Sequence, residues 1–270
     1  MKPTGKILLT LLILLFCSIF ISAVAFKRVY EKGEKGELYF FYNTILQQPF
    51  AHLVVTGGNV STVIYEPAAK PSVRVFKRWN GYHENRIKAV VHNDTLYLDF
   101  PNYYRDIYEK RQLQYQPMVR LFSPHLKSVK GNNTNIQLLK LKESDLLVDI
   151  SGHSGFEVES LLYSLSNLVV KASDTTDITF EMSPALKKSS GSTGKVQTDD
   201  IPVVVKGWDA FHIKRLNAAI SGNSIIDVGH AQIDSIQLHM SDTSGIILSG
   251  GTLKKMILPN AGVQSNSLKH

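Results

Sequence analysis

Leu146-Leu147-Val148-Asp149-Ile150-Ser151-Gly152-His153-Ser154-Gly155-Phe156-Glu157-Val158 is the stretch whose reading decides the fold. An apolar run leads to a Ser-Gly corner, a few small polar residues follow, and a second run alternates apolar with polar, as a half-buried strand does. The same design recurs with corners at Gly131-Asn132-Asn133-Thr134, Ser173-Asp174-Thr175-Thr176, Ser221-Gly222-Asn223-Ser224 and Ser241-Asp242-Thr243-Ser244, and in a degenerate copy at Asn260-Ala261-Gly262. Gly131 to Gly152 is 21 residues, Gly152 to Asp174 is 22, and Gly222 to Asp242 is 20. A fixed period near twenty predicts stacked rungs of chain, each pairing with its neighbours at about 4.8 Å. The longer interval, 48 residues from Asp174 to Gly222, is read as one extra coil, cornered at Ser190-Gly191-Ser192-Thr193, plus an insertion.

The recurrence also settles what the first stretch is for. Ser151, His153 and Asp149 lie close enough to suggest a catalytic group. Yet His153 is matched by Thr175, Asn223 and Thr243 in later copies, and Asp149 by Lys171. Only the small corner and the flanking apolar runs persist. Leu147, Ile150, Phe156 and Val158 are expected to point inward and stack in columns, while Ser, Thr, Asn and Asp at the corners bond to nearby backbone.

Upstream, Phe50 to Val55, Val60 to Tyr65, Ser72 to Lys77, Ile87 to Val91 and Thr95 to Phe100 read as strand and hairpin material, suited to capping one end of the stack. Pro101 to Pro117 differs in character, with Tyr103, Tyr104, Tyr108 and Tyr115 set among Arg105, Lys110 and Arg111. Aromatics interleaved with cations can stack on sugar rings or bases. Such a segment can equally be a hairpin or loop that leans its rings on the edge of the stack. Tyr103, Tyr104, Arg105, Tyr108, Arg111 and Tyr115 are the candidate ligand-binding surface.

The first residues carry Lys2 and Lys6, and no charge follows from Ile7 to Phe26. A helix of about twenty residues spans about 30 Å, so this run is expected to be a transmembrane signal-anchor that makes a membrane the partner of residues 7–26. Cleavage after Ala23-Val24-Ala25, as in a signal peptide, is the competing reading. Lys27, Arg28, Lys32 and Lys35 outnumber the lysines before the run. The positive-inside rule alone therefore conflicts with export of the C-terminal part. Cys17 is the sole cysteine, so no disulfide within the chain holds the fold. A net charge of +7 is spread along a chain of mixed sign, which argues against a nucleic-acid face.

The strand entry at Phe50 to Tyr65, the lead-in Pro124-His125-Leu126-Lys127, and the small corners at Ser151, Ser173, Ser221 and Ser241 resemble the auto-transporter adhesin, head GIN domain family of Bacteroidetes-type envelope proteins. The resemblance covers residues 50–262. It implies an all-β fold built as a single-stranded right-handed parallel β-helix, export to the cell envelope, and an adhesive or scaffolding role without catalytic residues. Asp174 and Asp242 depart from it, standing where Gly is commoner.

The chain is thus expected to divide into an N-terminal anchor (1–28), a juxtamembrane linker (29–49), the β domain (50–262) with the aromatic insertion at 101–117, and a tail (263–270). The C-terminal domain is placed in the periplasm or outside the cell. A carbohydrate-active enzyme is the alternative, and would need Asp149, Asp174, Asp177, Asp227 or Asp242 to converge on one face. His125, His153, His212, His230 and His239 lack metal-ligand spacing, and no nucleophile elbow or phosphate loop occurs, so no cofactor or metal is expected. Carbohydrate or another envelope protein is the expected partner, and nucleic acid is not.

Overall fold

The computed structural model describes residues 3–32, 39–101, 104–141, 143–159, 164–181, 196–198, 201–203, 212–229, 231–248, 252–253 and 256–257. They fall into two compact units, Met1–Tyr42 and Asn43–His270.

The first unit carries α1 (Pro3–Lys32). Proline suits the opening turn, where its missing N–H would be unpaired anyway. Described side chains run without interruption from residue 11 to 27, and those of Leu11, Leu12, Ile13, Leu14, Leu15 and Phe16 are all exposed, covering every face of the helix. Among the described residues no helix is long and apolar enough to cross a membrane. The expected transmembrane helix is corrected accordingly.

The second unit is a stack of strands. In chain order these are β1 (Tyr42–Leu46), β2 (His52–Thr56), β3 (Thr62–Pro67), β4 (Ser72–Phe76), β5 (Lys88–His92) and β6 (Thr95–Asp99). Then come β7 (Val119–Ser123), β8 (Ser128–Asn132), β9 (Asn135–Leu139), β10 (Asp145–Ser151), β11 (His153–Glu159), β12 (Ser164–Ala172) and β13 (Thr175–Glu181). The remainder are β14 (Val196–Thr198), β15 (Ile201–Val203), β16 (His212–Ile220), β17 (Ile225–Asp227), β18 (Gln232–Met240), β19 (Gly245–Ile247), β20 (Thr252–Leu253) and β21 (Met256–Ile257). One helical turn, α2 (Asn80–His83), joins β4 to β5, and α3 (Ile107–Tyr115) joins β6 to β7.

Two large sheets result. One has the order β1-β4-β7-β3-β9-β11-β13-β17-β19 and the other β20-β18-β16-β12-β10-β8-β2-β6-β5, with β21 also on β18. Each rung gives one strand to each sheet, and the corner is where the chain crosses between them: β10 ends at Ser151, β11 begins at His153, and Gly152 makes the crossing. Paired rungs lie in parallel at offsets of about one repeat, as in Asp149 against Lys171 and Phe156 against Ile178.

The expectation of a single-stranded right-handed parallel β-helix is overturned. Both sheets are mixed, because β4 pairs antiparallel with β7 and β5 antiparallel with β6. The rungs are not stacked in chain order either: β6 and β7 insert between that antiparallel end and the earlier rung of β2 and β3. The physical reason is closure. Strands at the end of a parallel stack offer unpaired backbone, and a reversed pair of strands covers it.

The extra coil is corrected too. β12 pairs directly with β16 and β13 with β17, so no rung intervenes between the Asp174 and Gly222 corners. The proposed corner at 190–193 and the last one at 260–262 lie outside the described residues, as does the tail. Between β13 and β16 the described chain forms the antiparallel pair of β14 and β15.

The core is the slot between the sheets. Leu146, Val148 and Ile150 of β10, Leu168 and Val170 of β12, and Phe156 and Val158 of β11 are buried in it. Each such side chain contributes about 1.5–3 kcal/mol on burial. Leu147, expected to face inward, faces out and is 42% exposed. Ile150 fixes the phase of β10, and alternation then sends Leu147 to the other face.

Candidate functional site

The corners line one edge of the stack, and near its antiparallel end the chain adds material to that edge. The connection from β4 to β5 contributes Trp79, that from β6 to β7 contributes Phe100, Tyr104 and α3, and the β2–β3 and β8–β9 corners contribute Asn59, Ser61 and Asn133. These elements enclose a recess of about 320 Å³. Gly58 lets its floor form. It sits at φ +80°, and a Cβ there would stand 2.7 Å from the Phe100 ring. Only glycine meets both demands without strain.

A buried charge holds the recess together. Glu109, 3% exposed, accepts the indole N–H of Trp79 at 2.8 Å, the guanidinium of Arg86, and the backbone N–H of Arg105. Arg86 also reaches Glu84 at 2.8 Å and stands 5.9 Å from the Trp79 ring centre. Asp106 caps α3, its carboxylate accepting the Glu109 N–H at 2.8 Å. Burial pushes the Glu109 carboxyl up, but the bonds from Arg105, Arg86 and Trp79 outweigh it and hold the group below its ordinary range. One carboxylate therefore ties the β4–β5 and β6–β7 connections to one point.

The residues expected to form a binding surface are distributed around this feature. Tyr104 lines the recess. Arg105 stands beside it and pairs with Glu84 at 3.0 Å. Tyr108, Arg111 and Tyr115 lie at i, i+3 and i+7 of α3 and share one exposed face, the two tyrosines 76% and 83% exposed. Tyr103 lies outside the described residues. Leu113 and Glu109 form the opposite, buried face of α3. Sequence reasoning missed the cluster of Trp79, Arg86 and Glu109. The available signal was an acid three residues after Asp106, a capping pattern at the start of a helix.

The five aspartates do not converge. Asp174 and Asp242 accept backbone N–H groups at the corners, and Asp227 accepts the N–H of Gly229 at 2.9 Å. Asp149 faces out from one sheet, 3.9 Å from Lys130, and Asp177 faces out from the other. Among the described histidines, His125 is 3.1 Å from Glu143 and His212 is 3.1 Å from Asp234. No group of three or more His, Cys, Asp or Glu able to hold a metal ion occurs among the described residues.

On the outward face of the other sheet a shallow trough of about 400 Å³ opens over Gly155, walled by Asn135, Gln137, Glu157, Asp177 and Thr179. Its amides and acids are partly spent on each other: Gln137 donates to Glu157 at 3.1 Å, and Asn135 accepts the Gly155 N–H at 2.9 Å.

No protein-family model matches the chain, and no curated protein matches it. Solved structures do. A candidate adhesin from Bacteroides fragilis is 15% identical, with 80% of this chain and 96% of that one covered and a TM-score of 0.44. A candidate adhesin from Parabacteroides distasonis is 14% identical over 80% and 96%, with a TM-score of 0.31. A candidate lipid binding protein from the same organism is 12% identical over 80% and 96%, with a TM-score of 0.28.

Proposed function

We propose that this protein is a non-catalytic, adhesin-like or scaffolding component of a bacterial cell envelope. Its stacked strands are a rigid frame. Its ligand, a carbohydrate or another envelope protein, is held at the recess and the exposed face of α3. The observation that carries this reading is the recess itself. A preformed cavity with aromatic walls and amide groups is bounded by Leu113 of α3, a helix that carries two almost fully exposed tyrosines on its other face and is tied to Trp79 by buried Glu109. The dispersal of the five aspartates supports a role in binding rather than bond cleavage.

Association with membrane lipid through residues 7–26 belongs to the same proposal. A helix apolar on every face needs an apolar surrounding, and the large side chains of α1 from Leu11 to Phe16 have none in the protein.

A photo-crosslinking amino acid placed at Tyr108 or Tyr115 in the full-length protein, in cells, tests the binding surface. The expected result is an adduct with a glycan or envelope protein at both positions and none at Lys130, on the outward face of a sheet. Equal products at Lys130, or none at either tyrosine, would overturn the assignment. Flotation with vesicles tests the second part. The full chain should float, and Leu12→Lys with Phe16→Lys should stay at the bottom of the gradient.

A further inference from the structure

We infer that the recess takes one unit of an acidic sugar, its ring against Tyr104 and its carboxylate on Lys110. The inference rests on the reading of the recess as a ligand site and adds the class of ligand.

A recess of about 320 Å³ is at the small end of ligand pockets and suits a single ring unit rather than a peptide helix or an extended chain. Its walls offer what a sugar ring needs. Tyr104 and Phe100 give apolar surface for C–H faces, and Asn59, Ser61 and Asn133 give hydrogen-bonding groups. None of the described residues lining it is charged.

The nearest charges decide the sign. Glu109 is buried and committed to Arg86, Trp79 and the Arg105 N–H. Glu84 is shared by Arg86 and Arg105, and Asp106 is spent on the cap of α3. Lys110 remains, with Nζ 5.1 Å from the centre of the Tyr104 ring. A ring unit that touches Tyr104 therefore places its substituents within reach of one ammonium group, with the neighbouring acids already paired. A carboxylate substituent gains a charge-assisted bond there that a neutral one does not.

Calorimetric titration of the full-length protein, held in an uncharged detergent, tests this with tri-galacturonic acid and its methyl ester as probes. The two share ring shape and differ in charge. At low salt the acid is expected to bind about tenfold tighter than the ester. Lys110→Gln should erase that preference and leave ester binding unchanged. Tyr104→Ala should weaken both. Both side chains are outside the core, and far-UV circular dichroism serves as the check of fold. Equal affinity for acid and ester, a preference that survives Lys110→Gln, or binding of neither probe would overturn the inference. Should neither probe bind while crosslinks at Tyr108 and Tyr115 persist, the acidic sugar falls and the binding role stands. Loss of both results removes the two together.

Discussion

The carboxylate of Asp174 accepts the backbone N–H of Gly152 at 3.0 Å, reaching back across one rung of the stack. Asp242 does the same to Gly222 at 3.0 Å. Both aspartates have left-handed backbone, φ +68° and +59°, as do the glycines they serve. Glycine and aspartate therefore alternate down the corner column for a reason. An aspartate tolerates this conformation better than most side chains, and it supplies the acceptor that the glycine before it cannot. The two residues that broke the expected pattern are part of what holds it.

Asp174→Ala removes that bond and keeps the unfavourable backbone, so it should cost about 1–2 kcal/mol. Asp174→Asn keeps an acceptor and the conformational tolerance, and should cost less than half as much. Urea unfolding midpoints of the two variants, at unchanged slope, measure the difference.

The glycines of the same column are not equivalent to glycines elsewhere. A Cβ on Gly222 would stand 2.5 Å from the carbonyl oxygen of Asp174 and 2.8 Å from its nitrogen, at φ +68°. That is backbone, which cannot swing away. At Gly245 a Cβ would meet nothing within 4 Å. Gly222→Ala should therefore destabilise by about 3 kcal/mol or more, and Gly245→Ala should change stability by less than about 0.5 kcal/mol. Thermal unfolding of the pair reads both effects.

The corners were legible because their physics is local. Small residues and left-handed backbone leave a mark in composition at Ser151-Gly152 and Ser221-Gly222, and the spacing between those marks reappears as the offset between paired strands. What could not be read is non-local. Nothing near Thr95 or Val119 says that β6 and β7 slide in behind β2 and β3, or that β4 and β5 run backwards. The cluster at Glu109 was hidden for the same cause, since Trp79, Arg86 and Arg105 come to it from up to thirty residues away. Tyr104 could be picked out by its neighbours in sequence, but not the recess it lines.

The misplaced Leu147 shows a third limit. In Leu146-Leu147-Val148 every residue is apolar, so the run has no phase of its own and takes it from Asp149 and Ile150 beyond it. Val148 is accordingly fully buried and Leu147 is 42% exposed. Val148→Ala should cost about 1–3 kcal/mol, whereas Leu147→Lys should be close to neutral. An inward Leu147 would reverse that ranking, and chemical denaturation of the two variants distinguishes the cases.

Glu109 ties the recess to pH. Its carboxyl is held below the ordinary value of 4.5 in the fold, because the Arg105 N–H, Arg86 and Trp79 stabilise the charged form more than burial penalises it. A group with a depressed folded pKa lends stability that is complete above its unfolded value and is lost as pH falls through the folded one. Between those two values the unfolded chain binds the proton more tightly, so acid favours unfolding. In Glu109→Gln that proton-linked contribution is absent, and Arg86 loses the charge of one carboxylate it is paired with. The variant should be about 3 kcal/mol less stable at neutral pH, and the gap to the native protein should shrink as pH drops below the ordinary carboxylate range. Urea unfolding followed by tryptophan emission, repeated across acid pH, measures it. A gap that stays constant to the lowest pH would mean that Glu109 is not ionised in the fold, and that the joint holding α3 to Trp79 is a neutral hydrogen bond.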